Sequence, residues 1–453
     1  MQLINDALLL ILGIFIYIKK PQWIIFYWFS LEPFFLPFSA LLTKVYTYDQ
    51  FFELTNHLKV FGRNFFFILI IYEYLKCPNK IPNIPGIYKS IIALMIYLIL
   101  TNIINHFSFE ILWGYFSEII SLILPLIFLL IRKDVRPSIK QIIKYIKIIS
   151  IIELFAIILN LFHIYIYIPF YFPNIITTFT GDIIEVDNNS LVSGTFSRFN
   201  SLANYLTTLY LFICLEYFSK TKLKPYIFHI ITFAFLLAIL LTGAKVSLIL
   251  FAFTYLICST YYCKMHIKAF IFAWATIVAT SLYLLTSDGN NPNLNAGINR
   301  QIEGLTTFAQ SDKDEDNSTI GLSLYLLNNY FHKAPLTGNH LSYKGELAYG
   351  NRGMCTLTHF KADSRIAYQI VEFGIIGSFL YLCFFLSIFI FLSKRITKEE
   401  RIKLVICFIY YFLLTMTESG LFDRINFPLV FIYAICILKP IPSKYLQNKS
   451  TIS

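Results

Sequence analysis

The sequence predicts an all-α polytopic membrane protein of about 12–14 transmembrane helices, with one large loop on the outer face. Three observations carry this prediction. Hydrophobic residues make up 57% of the 453-residue chain and charged residues 14%, against roughly 25% charged in soluble domains. The mean hydropathy is +0.65, more apolar surface than a soluble interior can hide, so lipid is the solvent for much of the chain. A single long polar stretch, residues 287–365, interrupts apolar runs of spanning length.

A span needs about 20 apolar residues. Thirteen runs qualify or come close: 3–18, 22–42, 60–75, 87–104, 111–131, 148–168, 202–218, 226–242, 246–262, 267–286, 366–392, 402–417 and 426–438. The first and last are short enough to lie at the interface. Pro33 and Pro37 predict a kink in the second run, which neighbouring helices can accommodate. No basic segment precedes Leu3 to Ile18 and no small-residue cleavage site follows, so this run is expected to be a retained span.

Lysine and arginine set the orientation. With the N-terminus outside, the cytoplasmic side collects Lys19, Lys20, Lys76, Lys80, Lys89, Arg132 to Lys147, Lys220 to Lys224, Lys264 to Lys268, Lys394 to Lys403 and the C-terminal tail. That side holds 24 of the 37 basic residues. Of the 13 on the other side, seven lie in the long loop, where the rule does not apply. The net charge of +11 is therefore a topology signal, and no nucleic-acid partner is expected.

The chain divides into N-terminal transmembrane helices (1–168), a first outer loop (169–201), central helices (202–286), the large outer loop (287–365), and C-terminal helices with a cytoplasmic tail (366–453). Acidic Asp182, Glu185 and Asp187 lie in the first outer loop. The large loop opens on the turn-rich SDGNNPNLN. INRQIEGLTTFAQ follows as a short amphipathic helix, then an acidic patch from Asp312 to Asp316. IGLSLYLLNNYF is too short to span and is expected to lie on the membrane face.

The eight cysteines show neither metal-site spacing nor a disulfide framework. No phosphate-binding loop, dinucleotide fingerprint or HExxH motif is present, and no carboxylate pair opens the first outer loop. No cofactor or metal is expected.

Two groups of residues carry candidate chemistry. The first is the outer-face cations Arg198, Lys245, Arg300, Arg352, Arg365 and Arg424. Arg198, Lys245 and Arg424 sit at span boundaries, and each cation alone reads as structural, since a cation at the membrane surface can snorkel. Together they suggest an anion site, since Arg binds phosphate bidentately and Lys as a point charge. The second group lies in THFKADSRIAYQIVEFGIIGSFLYL, where the long loop re-enters the membrane. On a helix His359 and Asp363 share a face, as do Arg365, Tyr368 and Glu372. His359 and Asp363 read either as a solvated helix start or as a general base with its orienting carboxylate. Glu372 falls about two turns inside the span, where an ionisable group is costly and marks a functional candidate; pairing with Arg365 is its plainest role. Glu118 and Glu153 are similar cases. Gly374 and Gly377 read as close-packing positions.

Three segments, in order, resemble the O-antigen polymerase and O-antigen ligase superfamily. They are GTFSRFNSLANYLTTLYLF, the hinge LLTGAKVSLILF, and FHKAPLTGNHLS followed by the His-containing entry to EFGIIG. The resemblance covers residues 190–395; the N-terminal half matches only as hydrophobic spans. It implies a GT-C-like fold in the bacterial inner membrane. It also implies a metal-independent glycosyltransferase that polymerises undecaprenyl-diphosphate-linked repeat units on the periplasmic face. Its partners would be that lipid-linked glycan, membrane lipid and a chain-length regulator protein. By resemblance, Arg198, Lys245 and Arg300 would hold the diphosphate and His359 would lie near the acceptor. Three departures stand out. The hinge cation is Lys245 rather than Arg. The distance from Arg365 to Gly377 is one residue too long for an Arg-x10-Gly pattern. Phe360 follows His359 where ligases carry a small polar residue, which favours a polymerase over a ligase acting on lipid A core. A lipid-linked oligosaccharide flippase is the rival from a different class.

The topology is testable by single-cysteine labelling in a cysteine-free background. Positions in 287–365 and at Lys245 should react with an impermeant reagent in intact spheroplasts, and positions 394–403 should not. The reverse pattern would invert the map.

Overall fold

The computed structural model describes residues 2–44, 48–76, 84–104, 108–132, 135–161, 174–177, 183–186, 192, 194–196, 199–220, 225–263, 327–340, 365–394 and 396–417. They form a helical bundle with one small β-ribbon. The helices are α1 (Gln2–Lys19), α2 (Ile24–Phe29), α3 (Leu36–Thr43), α4 (Tyr48–Lys76), α5 (Pro85–Ile104), α6 (Phe109–Ile131) and α7 (Ile139–Leu161). After the ribbon come α8 (Phe199–Lys220), α9 (Pro225–Thr242), α10 (Lys245–Cys263), α11 (Arg365–Ser393) and α12 (Lys398–Thr417).

Among the described residues three helices are long and apolar enough to cross a membrane: Gln2–Lys19, Pro85–Ile104 and Ile366–Ser393. Shorter apolar helices span Ile227–Thr242 and Val246–Cys258. The surface agrees with lipid as solvent. Leu3, Ile11 and Phe15 on α1, Ile92, Ile96 and Ile103 on α5, and Phe379, Leu382 and Leu386 on α11 all face outward. Polar groups turn inward: Asn5, Glu73, Glu153, Asn204, Thr208, Glu216, Glu372 and Lys403 are buried. Apolar outside with polar pairs inside is the arrangement that hydrocarbon demands, since a polar group there must find its partner within the protein.

Most of the expected apolar runs are helical, with ends within a few residues. Two helices begin earlier than their apolar runs. The run at 148–168 belongs to α7, which starts at Ile139 because Ser138 and Gln141 form a capping box. The Ser138 amide donates to Gln141 Oε1 (2.8 Å) and the Gln141 amide to Ser138 Oγ (3.3 Å). The run at 60–75 belongs to α4, whose polar first turns from Tyr48 remain helical. The second run is interrupted as its prolines predict. A 3-10 turn (Pro21–Trp23), α2, a π-turn (Leu31–Phe35) and α3 follow one another.

The all-α expectation needs one amendment. Between α7 and α8, β1 (Asn174–Thr177) pairs antiparallel with β2 (Ile183–Val186), Ile175 lying opposite Glu185. The β-branched runs NIIT and IIEV suit strands and mark this pair. The runs 267–286 and 426–438 lie outside the described residues.

Polar pairs, most of them buried, tie the bundle at both ends. At the end carrying the basic clusters, Arg132 of α6 pairs with Glu73 of α4, and Tyr17 of α1 bonds the same carboxylate. The Arg132 guanidinium also donates to Tyr17 Oη (2.9 Å). Nearby in sidedness, Lys403 of α12 donates to Glu216 of α8 at 2.8 Å, with side-chain exposures of 4% and 9%. At the opposite end Ser39 Oγ donates to Asn5 Oδ1 (2.9 Å), and His57 of α4 pairs with Asp6 of α1. Each of these pairings joins segments that the charge pattern assigns to one side.

Removing one partner of a buried ion pair leaves an uncompensated charge and costs about 3–5 kcal/mol. Lys403→Met should therefore lower the thermal stability of the detergent-solubilised protein sharply. Combining it with Glu216→Leu should recover part of the loss, because the buried Glu216 charge goes as well while Glu400, 3.5 Å from Lys403, still loses its cation. Equal stability of Lys403→Met and the parent would mean that the pair is not formed.

Candidate functional site

Helix α11 carries the one described side chain among the expected catalytic residues. Glu372 lies two turns after Arg365, the first residue of the helix, and is fully buried. Tyr115 of α6, itself fully buried, donates its hydroxyl to Glu372 Oε1 (3.1 Å). The Tyr115 hydroxyl also lies 3.2 Å from that of Tyr368, one turn before Glu372 on the same face. Tyr115, Tyr368 and Glu372 thus form one buried polar cluster.

Two residues further on, α11 breaks. Gly374 has φ 63° and ψ −167°, outside helical space. A break normally strands backbone groups, which hydrocarbon cannot satisfy. Here the turn Pro335–His340 takes them up. The amides of Asn339 and His340 donate to the carbonyls of Val371 (2.8 Å) and Glu372 (3.2 Å). In return the amides of Ile375 and Ile376 donate to the carbonyls of Pro335 (2.9 Å) and Leu336 (3.1 Å). Val371 and Glu372 are the carbonyls that Ile375 and Ile376 would have used in an unbroken helix. The turn therefore exchanges partners with the helix one for one.

Both glycines at this junction are required by geometry. Gly338 has φ 86°, and a Cβ there would land on the Glu372 carbonyl oxygen. A Cβ on Gly374 would strike the Leu336 carbonyl and the Gly338 amide. Gly374 is thus not the helix-packing position that the sequence suggested; it admits the turn. Gly377 does fit that expectation, since a Cβ there would sit 2.7 Å from the Tyr97 ring of α5. Tyr97 closes the junction from the side, its hydroxyl lying 2.7 Å from the Phe373 carbonyl and 3.0 Å from that of Thr337. Asn339 Nδ2 anchors the turn to the Tyr330 carbonyl (2.7 Å). Before it, residues 327–330 and Phe331–Lys333 are helical, the latter as a 3-10 turn. This is the described part of the run expected on the membrane face.

The other two family-like segments are also tight backbone features. In GTF, Gly194 has φ 61° and donates its amide to Asn160 Oδ1 (3.0 Å). The Thr195 amide and hydroxyl donate to the two oxygens of Glu153, at 3.1 and 2.5 Å. A Cβ on Gly194 would meet Glu153 Oε2 at 2.6 Å. Phe196 is buried and packs on Tyr205 of α8. Glu153, seen in the sequence only as an ionisable group in a span, therefore seats the segment that leads into α8.

In the TGAK hinge, Gly243 has φ 67° and Lys245 is the first residue of α10. Ser247 donates its hydroxyl to Asn204 Oδ1 of α8 (2.6 Å), and Thr207 Oγ1 lies 3.4 Å from the Ser247 carbonyl. The first turns of α8 and α10 are thereby held side by side.

Of the residues expected to bind diphosphate, Lys245 and Arg365 head α10 and α11, with side chains outside the description. Arg198, Arg300, Arg424, His359 and Asp363 lie outside the described residues, as does the side chain of Glu118. Among the described residues no group of three or more His, Cys, Asp or Glu is placed to hold a metal ion. Sequence spacing missed two features. The pairing of His57 with Asp6 joins residues 51 positions apart, and the meeting of Gly338 with Gly374 joins two distant segments. Only the Leu-Thr-Gly-Asn turn and the Gly-x-x-Gly spacing signalled the second. Compared with known proteins, the chain matches no family model and no curated protein.

Gly338→Ala should unseat the turn. Backbone strain at such a position costs about 1–3 kcal/mol, before the clash with Glu372 is counted. A single cysteine at the buried His340 should react slowly with a maleimide in the parent and markedly faster in the Gly338→Ala background. Equal rates would show that the turn is not seated on α11.

Proposed function

We propose that this chain is a membrane glycosyltransferase that polymerises undecaprenyl-diphosphate-linked oligosaccharide repeats on the outer face of the bacterial inner membrane. The growing glycan passes from its own lipid diphosphate to a sugar hydroxyl of a second lipid-linked unit. The diphosphate is the leaving group, so nucleotide hydrolysis is not needed. One observation carries the reading furthest. The Pro335–His340 turn is locked into the break of α11, beside Glu372, which supports a loop held at that end of the bundle.

Supporting it, the three segments that resemble the polymerase and ligase superfamily are each held by specific hydrogen bonds: GTF by the side chains of Glu153 and Asn160, the hinge by that of Asn204, and PLTGN by the backbone of α11. In this reading Arg198, Lys245 and Arg300 hold the diphosphate, with Arg365 and Arg424 around it, and His359, oriented by Asp363, faces the acceptor. Glu372 acts through position: its backbone carbonyl receives the turn and its carboxylate is held by Tyr115.

A broken helix with a backbone junction is also how many transporters build a substrate site, which favours a lipid-linked glycan flippase as a second reading. The two differ in product. Purified protein in liposomes, given lipid-linked repeats, should yield a ladder of longer glycans if it is a polymerase. Lipid-linked substrate that changes leaflet without lengthening would mean a flippase.

Losing one hydrogen bond to a charged group costs about 1.5–3 kcal/mol, or roughly tenfold to a hundredfold in rate. Arg198→Ala, Lys245→Ala and Arg300→Ala should each slow polymerisation by that factor, and Lys245→Arg should be tolerated better. Full-length polymer from all three alanine variants at normal protein levels would remove the cation site.

A further inference from the structure

We propose that His57, oriented by Asp6, is a catalytic base at the outer end of the bundle that takes the proton from the acceptor sugar hydroxyl. This rests on the polymerase reading above. Asp6 is the one acidic residue in the apolar first helix and lies about 20 Å along it from Lys19. An ionisable group inside a span is costly and marks function unless its partner explains it. The partner is His57 of α4, whose Nε2 lies 2.9 Å from both carboxylate oxygens of Asp6.

The geometry fixes the chemistry of the ring. A carboxylate only accepts, so Nε2 carries the proton and neutral His57 keeps Nδ1 as its basic nitrogen. The pair is also reachable, with side-chain exposures of 32% for His57 and 29% for Asp6. Glu153 and Glu372 are fully buried, and their oxygens bond Thr195 and Tyr115. Among the described residues on this end of the bundle, His57 and Asp6 are thus the acid–base pair open to a substrate.

The surroundings hold the pair in place. Asn5, next to Asp6, is fully buried and accepts a hydrogen bond from Ser39 of α3. Further along α4, the Arg63 guanidinium lies 5.6 Å above the Trp113 ring of α6. Trp113 is two residues from Tyr115, so α4 is linked through α6 to the Glu372 cluster.

In the step itself the acceptor hydroxyl gives its proton to His57 Nδ1, and its oxygen bonds the anomeric carbon of the donor glycan. The bond from that carbon to the diphosphate oxygen breaks, and its electron pair leaves with undecaprenyl diphosphate. The imidazolium then releases its proton to water. Asp6 is a positioning residue, holding the tautomer and the ring.

The test uses the full chain in liposomes with lipid-linked repeats, reading kcat and KM. His57→Ala should lower kcat by about 10²–10⁴-fold with KM little changed, and added imidazole should restore part of the loss. Asp6→Asn should lower kcat by up to about 10⁴-fold, because the amide can hold the ring in the wrong tautomer. His57→Gln keeps a hydrogen bond to Asp6 and should be folded but inactive. Near-normal polymerisation by His57→Ala or His57→Gln overturns the proposal. So does a loss in His57→Ala that imidazole leaves unchanged while His57→Gln is active, which marks a structural pair. Activity that vanishes only in His359→Ala would assign the base to the long loop and leave the polymerase reading intact. If the parent chain makes no polymer, the polymerase reading fails and this proposal with it.

Discussion

A helix inside a bilayer cannot be interrupted unless something else takes its hydrogen bonds, and the rest of this structure depends on how α11 meets that constraint. Gly374 leaves helical space, and the turn at 335–340 supplies an amide or a carbonyl for each group released. The exchange works only because neither Gly338 nor Gly374 carries a side chain. A soluble loop could sit near such a break with water filling its bonds. In hydrocarbon the turn must be seated or the helix must close. The turn is thereby tied to the depth of Glu372, and Tyr97 and Tyr115 secure the junction from α5 and α6.

The same solvent logic sorts the remaining polar groups. Lipid offers no driving force for apolar burial between helices, so specific polar pairs and small residues must hold them. Glu73 with Arg132 and Glu216 with Lys403 serve that purpose at the basic end. Glu153 with Thr195, Asn204 with Ser247 and Asp6 with His57 serve it at the other. Those at the basic end join helix to helix. At the opposite end Glu153 instead seats the short GTF segment, and Glu372 lies beside the seated turn.

Much of the helical pattern was legible because bilayer thickness sets the length of an apolar run. Helices α1, α5, α6, α9, α10 and α11 begin and end within a few residues of their runs. Where a helix continues into polar sequence, hydropathy says nothing. The capping residues Ser138 and Gln141 place the start of α7, and nothing apolar marks the start of α4. The site was legible in part. Glu372 stood out because a carboxylate in a span is expensive, and so did the glycines flanking it. Their purpose did not, because the need for positive φ arises only when two distant segments meet. His57 and Asp6 were hidden for the same reason. His359 and Asp363 drew notice by helical spacing, a signal that reaches only four residues along the chain.

The central claim is that the turn at 335–340 is seated in the membrane-side break of α11. Amide hydrogen exchange of the full-length protein in lipid nanodiscs reads it directly. Peptides covering residues 335–340 should exchange orders of magnitude more slowly than an open loop, because the Asn339 and His340 amides are bonded to α11. Exchange at the rate of an unprotected segment would contradict the account.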